Sequence, residues 1–265
     1  MGAKKQIEKN LKSFVLIGSG NVASSLGKAL CKKGFVCLQV WSRNPKNAKI
    51  LAKQLHAEAI SEFYELNTTA DFIFLAVSDD AIASVSATIP ASGAIVVHTS
   101  GTANLEDIAT HHKKTAVLYP LQTIRKNAKT AWKKIPILIE GKTKSDRQAV
   151  QHVAEKLSAN VIFMNSEQRK RIHLAAVLSC NFTNHFLHLA EQQLKKVKQP
   201  LALLKPLITT TVENALMGDA GKKQTGPAKR GDKKTMQAHL ALLKGETELQ
   251  KMYQLISSSI QHEKE

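Results

Sequence analysis

The stretch Gly18-Ser19-Gly20-Asn21-Val22-Ala23 constrains the fold more than any other. It follows Phe14-Val15-Leu16-Ile17, a short apolar run of the kind that is buried on both faces of a sheet. It precedes a helical pattern carried by Val22, Leu26 and Leu30, which stops at Gly34. In such a turn the first glycine permits the sharp reversal and the second lets the backbone approach a diphosphate. A small last residue, here Ala23, keeps helix and strand close. Free amides at the helix N-terminus then receive the anion. The spacing therefore predicts a dinucleotide-binding turn, with Gly18, Ser19, Gly20, Asn21 and Val22 as cofactor residues. A glycine turn without a ligand is the alternative.

Strand-like and helix-like patterns alternate onward from this turn. Phe35 to Trp41 reads as a second strand, and Pro45 opens a helix with Ala48, Leu51, Ala52 and Leu55 on one face. Further buried runs follow at Phe72–Val77, Ala94–Val97, Ala116–Leu118, Ile137–Ile139 and Val161–Phe163. The alternation predicts an α/β fold, a doubly wound, mostly parallel Rossmann sheet over residues 1–165. From Ser166 to about Lys196 the pattern is helical, with no glycine or proline to interrupt it. More helical segments follow around 201–217, 233–243 and 246–260, and the glycine- and lysine-rich stretch 218–232 reads as a loop. Residues 166–265 are thus expected to form an all-helical domain.

NAD-preferring sites carry an acidic residue roughly 20 positions beyond the turn, where it holds the ribose 2′-hydroxyl. Here that strand ends Trp41-Ser42-Arg43-Asn44, without a carboxylate. Ser42, Arg43 and Asn44 suit a 2′-phosphate instead, so NADP is the expected cofactor, with NAD possible. Bulk composition narrows the partners. The net charge of +17 admits nucleic acid, an anionic surface or an anionic substrate. The lysines are spread along the chain, however, and only 5% of residues are aromatic, which disfavours nucleic acid. No apolar run reaches the ~20 residues of a membrane span, and Met1 to Lys12 lead into no signal-like stretch, so a cytoplasmic protein is expected. Cys31, Cys37 and Cys180 have no metal-ligand spacing, so no metal site is expected.

In doubly wound sheets ligands sit beyond the carboxyl ends of the strands. That rule gathers Val77 and Ser78 with His98, Thr99 and Ser100, and with Tyr119, Pro120 and Gln122, at one mouth. Val77, Ser78 and Ser100 are assigned to the cofactor, Gln122 to the substrate, and His98 to catalysis or to a structural hydrogen bond. At ~100° per residue His173, Asn184 and His188 share one helix face, with Asn181 slightly further round. His173 is the first candidate proton donor and Asn181 its neighbour, with Asn184 toward the substrate; a solvated or interface stripe is the alternative.

Several stretches carry a family resemblance: Leu75-Ala76-Val77-Ser78-Asp79-Asp80-Ala81-Ile82, His98-Thr99-Ser100-Gly101 and Tyr119-Pro120-Leu121-Gln122-Thr123 in the first half. Further on stand His173-Leu174-Ala175-Ala176-Val177, Asn181-Phe182-Thr183-Asn184-His185, Thr225-Gly226-Pro227-Ala228 and Arg230-Gly231-Asp232. The chain resembles a bacterial family that pairs a Rossmann-like NAD(P)-binding domain with a C-terminal helical domain of unassigned function. That family falls within the superfamily of pyrroline-5-carboxylate reductase, prephenate dehydrogenase and the 6-phosphogluconate dehydrogenase-like enzymes. The resemblance draws Arg230 and Asp232 in as an anion-binding pair for the substrate, a salt bridge at an interface being the alternative. It implies a homodimer through the helical domain. The expected function is an NADP-dependent oxidoreductase reducing a small anionic carbonyl or imine compound in a cleft between the domains. A non-catalytic NADP- or metabolite-sensing protein is the rival reading.

Overall fold

The computed structural model describes residues 12–125 and 130–262. The basic lead at residues 1–11 lies outside them. The chain divides into two compact units, Met1–Phe182 and Thr183–Glu265.

The first unit is built on eight strands: β1 (Ser13–Ile17), β2 (Val36–Trp41), β3 (Glu58–Ile60), β4 (Phe72–Leu75), β5 (Ile95–His98), β6 (Thr115–Pro120), β7 (Ile137–Gly141) and β8 (Val161–Phe163). Their order across the sheet is β3-β2-β1-β4-β5-β6-β7-β8. Every pairing is parallel except β6 with β7. The order reverses between β1 and β4, and that switch point is where an open α/β sheet leaves a crevice for a ligand. The three-residue edge strand β3 was not apparent from the sequence, because Glu-Ala-Ile is too short to show an alternation.

Alternate residues of each central strand face opposite layers. Phe14, Leu16, Phe72, Phe74, Val97 and Leu118 pack under α1 (Asn21–Lys32), α2 (Pro45–Leu55) and α5 (Lys144–Leu157), whereas Val15, Ile17, Ile73, Leu75, Val96 and Val117 pack with Ile82 and Ile108. Those last two stand on α3 (Ile82–Thr88) and α4 (Glu106–Ala109). Burial of both faces explains the unbroken apolar runs of the sequence. Leu26 and Leu30 of α1 are fully buried, each side chain contributing about 1.5–3 kcal/mol.

The helix expected over Ser166–Lys196 is not uniform. Helix α6 (Ser166–Ala176) gives way to a π-helical stretch, Val177–Phe182, before α7 (Thr183–Lys196). Asn165 caps α6 by accepting from the Gln168 amide at 2.9 Å, and Gln168 Oε1 accepts from the Asn165 amide in return. Residues 166–182 fall in the first of the two compact units. A π turn holds more residues than an α turn, so angles counted at ~100° per residue do not carry from His173 across to Asn184.

The second unit holds α7, α8 (Lys205–Leu216), α9 (Lys233–Leu242) and α10 (Thr247–His262), with no strand among the described residues. Its polar ties include His239 Nδ1 with the Tyr253 hydroxyl at 2.8 Å and Gln193 to Glu246 at 2.8 Å. Ala228 and Leu243 are its only buried residues among those described, while Leu203, Leu207, Leu216, Met217 and Leu255 are exposed.

Candidate functional site

The turn after β1 has the conformation the glycines imply. Gly18 adopts φ 120°, and a Cβ there would stand 2.2 Å from the Ala76 carbonyl oxygen beyond β4, so only glycine fits at the switch point. Gly20 caps α1 with no side-chain hydrogen bond to the first turn, and a Cβ on it would meet nothing within 4 Å. Free amides facing open space are what a diphosphate needs, so these residues fit a dinucleotide. The tight helix–strand contact rests on Gly27 as well as on buried Ala23. A Cβ on Gly27 would lie 2.8 Å from Leu55 Cδ1 and 3.1 Å from Leu16 Cδ2.

Ser42, at the end of β2, is buried and its hydroxyl meets that of Ser19 at 2.7 Å, tying the second loop to the first. Arg43 is exposed and pairs with no carboxylate among the described residues. Asn44 has a structural task as the cap of α2, where its side chain accepts from the Lys46 amide at 3.0 Å. Val77 is half-buried and Ser78 exposed beyond β4.

At the end of β5 the residues serve different tasks. His98 is fully buried, and its Nδ1 accepts from the Ser100 amide at 3.2 Å. Burial, with the Arg169 guanidinium nearby, pushes its pKa down to about 3, so the ring is neutral at physiological pH. A histidine without solvent exposure is poorly placed to donate a proton to a substrate. The Ser100 hydroxyl accepts from the amides of Thr102 at 3.0 Å and Ala103 at 2.9 Å, which shapes the turn. Thr102 donates to Asp79 at 2.5 Å, joining this turn to the loop after β4.

That turn brings up Gly101, and over it lies a pair no sequence pattern announced. The Tyr119 hydroxyl, on β6, meets His173 Nδ1 of α6 at 3.0 Å, with the rings edge to face at 5.9 Å. A Cβ on Gly101 would stand 2.5 Å from His173 Nδ1 and 2.9 Å from Tyr119 Cζ, so glycine here makes room for the pair. Burial and the Asp79 charge raise the Tyr119 pKa, so the phenol keeps its proton. His173 is half-buried, and its Nε2 has no hydrogen-bond partner among the described residues.

Arg169 was also missed, because it sits in a charged run, Glu167-Gln168-Arg169-Lys170-Arg171, that reads as a solvated helix start. It is 1% exposed, pairs with Glu140 of β7 and donates to the Ala103 carbonyl. Ser166 completes the clamp, its hydroxyl donating to Glu140 at 2.9 Å and accepting from the Leu105 amide at 3.1 Å. The network fixes the start of α6, and with it His173, against the ends of β5 and β7.

The other expected residues are exposed or serve the backbone. Asn181 is exposed within the π-helical stretch, and Gln122 is exposed with its Oε1 accepting from the Thr123 amide at 2.8 Å. In the second unit Asn184 and Arg230 are exposed. Asp232 caps α9, accepting from the Thr235 amide at 3.0 Å and its hydroxyl at 2.6 Å. Among the described residues no group of three His, Cys, Asp or Glu is placed to hold a metal ion, and no helix is long and apolar enough to cross a membrane.

Comparison with known proteins places this arrangement. Residues 13–101 match the family described as NADP oxidoreductase, coenzyme F420-dependent, and residues 135–260 match the domain of unknown function DUF2520. No curated protein sequence matches the chain. Among solved structures it is similar to BF3122 of Bacteroides fragilis, assigned as an NADP oxidoreductase. The identity is 37% over 94% of this chain and 98% of that one, with a TM-score of 0.87. The fold is also that of 1-pyrroline-5-carboxylate reductase from Streptococcus pyogenes, at 14% identity, 94% and 98% coverage and a TM-score of 0.60. The reductive aminase of Aspergillus terreus, solved with NADPH and ethyl-5-oxohexanoate, is likewise similar in fold at 13% identity, 77% and 73% coverage and a TM-score of 0.61. The chain thus belongs to the family that joins a Rossmann domain of the NADP oxidoreductase type to a DUF2520 domain.

Proposed function

We propose that this protein is an NADP-dependent oxidoreductase that reduces the carbonyl or imine carbon of a small anionic compound. A bound NADPH supplies the hydride. Gly18, Ser19, Gly20 and the free amides of Asn21 and Val22 hold the diphosphate, while Ser42 and Arg43 take the 2′-phosphate. Val77 and Ser78 flank the same crevice at the switch point. The observation that carries the reading is the Tyr119–His173 hydrogen bond at 3.0 Å, which leaves a histidine nitrogen without a partner near the ends of β5 and β6. His173 there donates a proton to the substrate oxygen or nitrogen as hydride reaches the adjacent carbon. Fold neighbours that reduce imines or act on pyrroline carboxylate support this class of chemistry. Asn181, Gln122, Asn184 and Arg230 remain candidate substrate contacts, whereas the bonds of Asp232 favour its helix cap.

We also propose a homodimer formed through the helical residues. In support, the second unit buries only Ala228 and Leu243 among its described residues, too little apolar surface to hold four helices together alone.

The test is a screen of carbonyl and imine metabolites for NADPH oxidation, followed by comparison with His173→Asn. The variant is expected to slow turnover by about 100- to 10,000-fold with NADPH affinity nearly unchanged. Full turnover by the variant would remove His173 as the acid. Tight NADPH binding with no compound ever reduced would favour a sensor of NADP instead.

A further inference from the structure

Granting that His173 delivers the proton, its chemistry poses a problem of supply. A neutral imidazole carries one N–H, and losing it outright would leave a costly anion. A neutral histidine therefore delivers a proton well only if its other nitrogen gains one in the same step.

We infer that Tyr119 is the positioning residue and proton reserve of His173, acting through the imidazole without touching the substrate. The phenol lies 3.0 Å from Nδ1, close enough to donate to it. Buried beside Asp79, it is fully protonated at neutral pH. When Nδ1 accepts from the phenol, the single proton of the neutral ring sits on Nε2, the nitrogen without a partner among the described residues. The edge-to-face packing at 5.9 Å and the absence of a side chain at Gly101 hold that orientation.

The step balances. Hydride from the dihydronicotinamide joins the substrate carbon, and the π pair of the C=O or C=N bond moves to the heteroatom. The heteroatom takes the Nε2 proton while Nδ1 takes the phenol proton. Phenolate remains on Tyr119, NADP+ is the oxidised partner, and water returns the missing proton. An alkoxide or amide anion is far more basic than a phenolate, so the transfer runs downhill despite the raised pKa of the phenol. An imidazolium could give up its own second proton and would not need the tyrosine. The charged groups acting on the phenol are Asp79 beyond β4 and Arg169 on α6.

The experiment has two arms. Nitrogen-15 histidine spectra of the protein without ligand, with His173 assigned through His173→Gln, should show Nδ1 unprotonated and Nε2 protonated in the neutral ring. Tyr119→Phe should mix the two tautomers. In turnover, Tyr119→Phe should lower kcat by about 100-fold at alkaline pH and leave KM for NADPH unchanged. The deficit should shrink at acid pH, where a solvent proton can take the place of the phenol's. Gly101→Ala, which drives a methyl group between the rings, should reproduce the alkaline loss by an independent route. An Nδ1-protonated ring in the parent protein, full alkaline turnover by Tyr119→Phe, or a deficit equal at every pH would each overturn the inference. The spectral arm needs no substrate. Tautomers as expected in a protein that reduces nothing would therefore overturn the oxidoreductase reading and leave the pairing in place.

Discussion

Arg43 and His98 are each a single residue whose surroundings decide its value. Arg43 stands exposed beyond β2 with no carboxylate partner among the described residues, so its guanidinium is available to a phosphate. NADPH should bind more tightly than NADH, and Arg43→Ala should remove most of a gap worth about 1.5–3 kcal/mol for a charge-assisted contact. Fluorescence titration with both cofactors checks this, and equal affinities in the parent protein would refute it. For His98 the sign follows from a pKa lowered from 6.5 to about 3 by burial and by Arg169, against the opposing charge of Asp79. The unfolded chain takes up the proton below 6.5 while the folded chain does not, so the stability present above that pH drains as the pH falls toward 3. One such group changes stability by about 1.4 kcal/mol per pH unit. Urea titrations at pH 7 and pH 5 should show that slope reduced in His98→Asn, which keeps an acceptor for the Ser100 amide. At this scale the sequence was partly legible. The turn at Gly18 was readable because backbone freedom is a property of the residue itself. The tasks of Asn44, Ser100 and Asp232 were not, because each is set by which amide lies within reach.

Among the elements, α6 shows how a helix is held in register by charge. The Arg169–Glu140 pair is nearly sealed from water, at 1% and 12% exposure, and Ser166 satisfies further oxygen capacity. Removing one partner leaves the other buried and uncompensated, so Arg169→Met should cost about 3–5 kcal/mol of stability, with Glu140→Gln similarly harmful. The double variant should recover part of that loss, and denaturant titration of the four proteins measures the coupling. Additive losses would show that the pair does not hold the helix. Most strands were legible because burial on both faces writes continuous apolar runs, and amphipathic spacing marks α1 and α2. The π-helical stretch Val177–Phe182 was not, since its residues, Val-Leu-Ser-Cys-Asn-Phe, fit an α-helix equally well by periodicity.

For the molecule as a whole, the scarcity of buried residues in the second unit bears on assembly. Leu207, Leu216, Met217 and Leu255 are each more than 60% exposed, an arrangement a lone helical unit in water does not favour. Light scattering at micromolar concentration should give the mass of a dimer, as expected of a closed two-fold pair. Glutamate at Leu207 and Leu255 should shift the mass toward monomer, and a monomer in the parent protein would refute the assembly. By itself the sequence determined the order of the strands other than β3, the dinucleotide turn and the change to helices alone, because these follow from local backbone freedom and apolar periodicity. Tertiary structure alone decided that Tyr119, Gly101 and His173 meet, that Arg169 is buried against Glu140, and that His98 is sealed from solvent. Those contacts join residues far apart in the chain, and no local pattern carries the distance between two strands' ends and a helix.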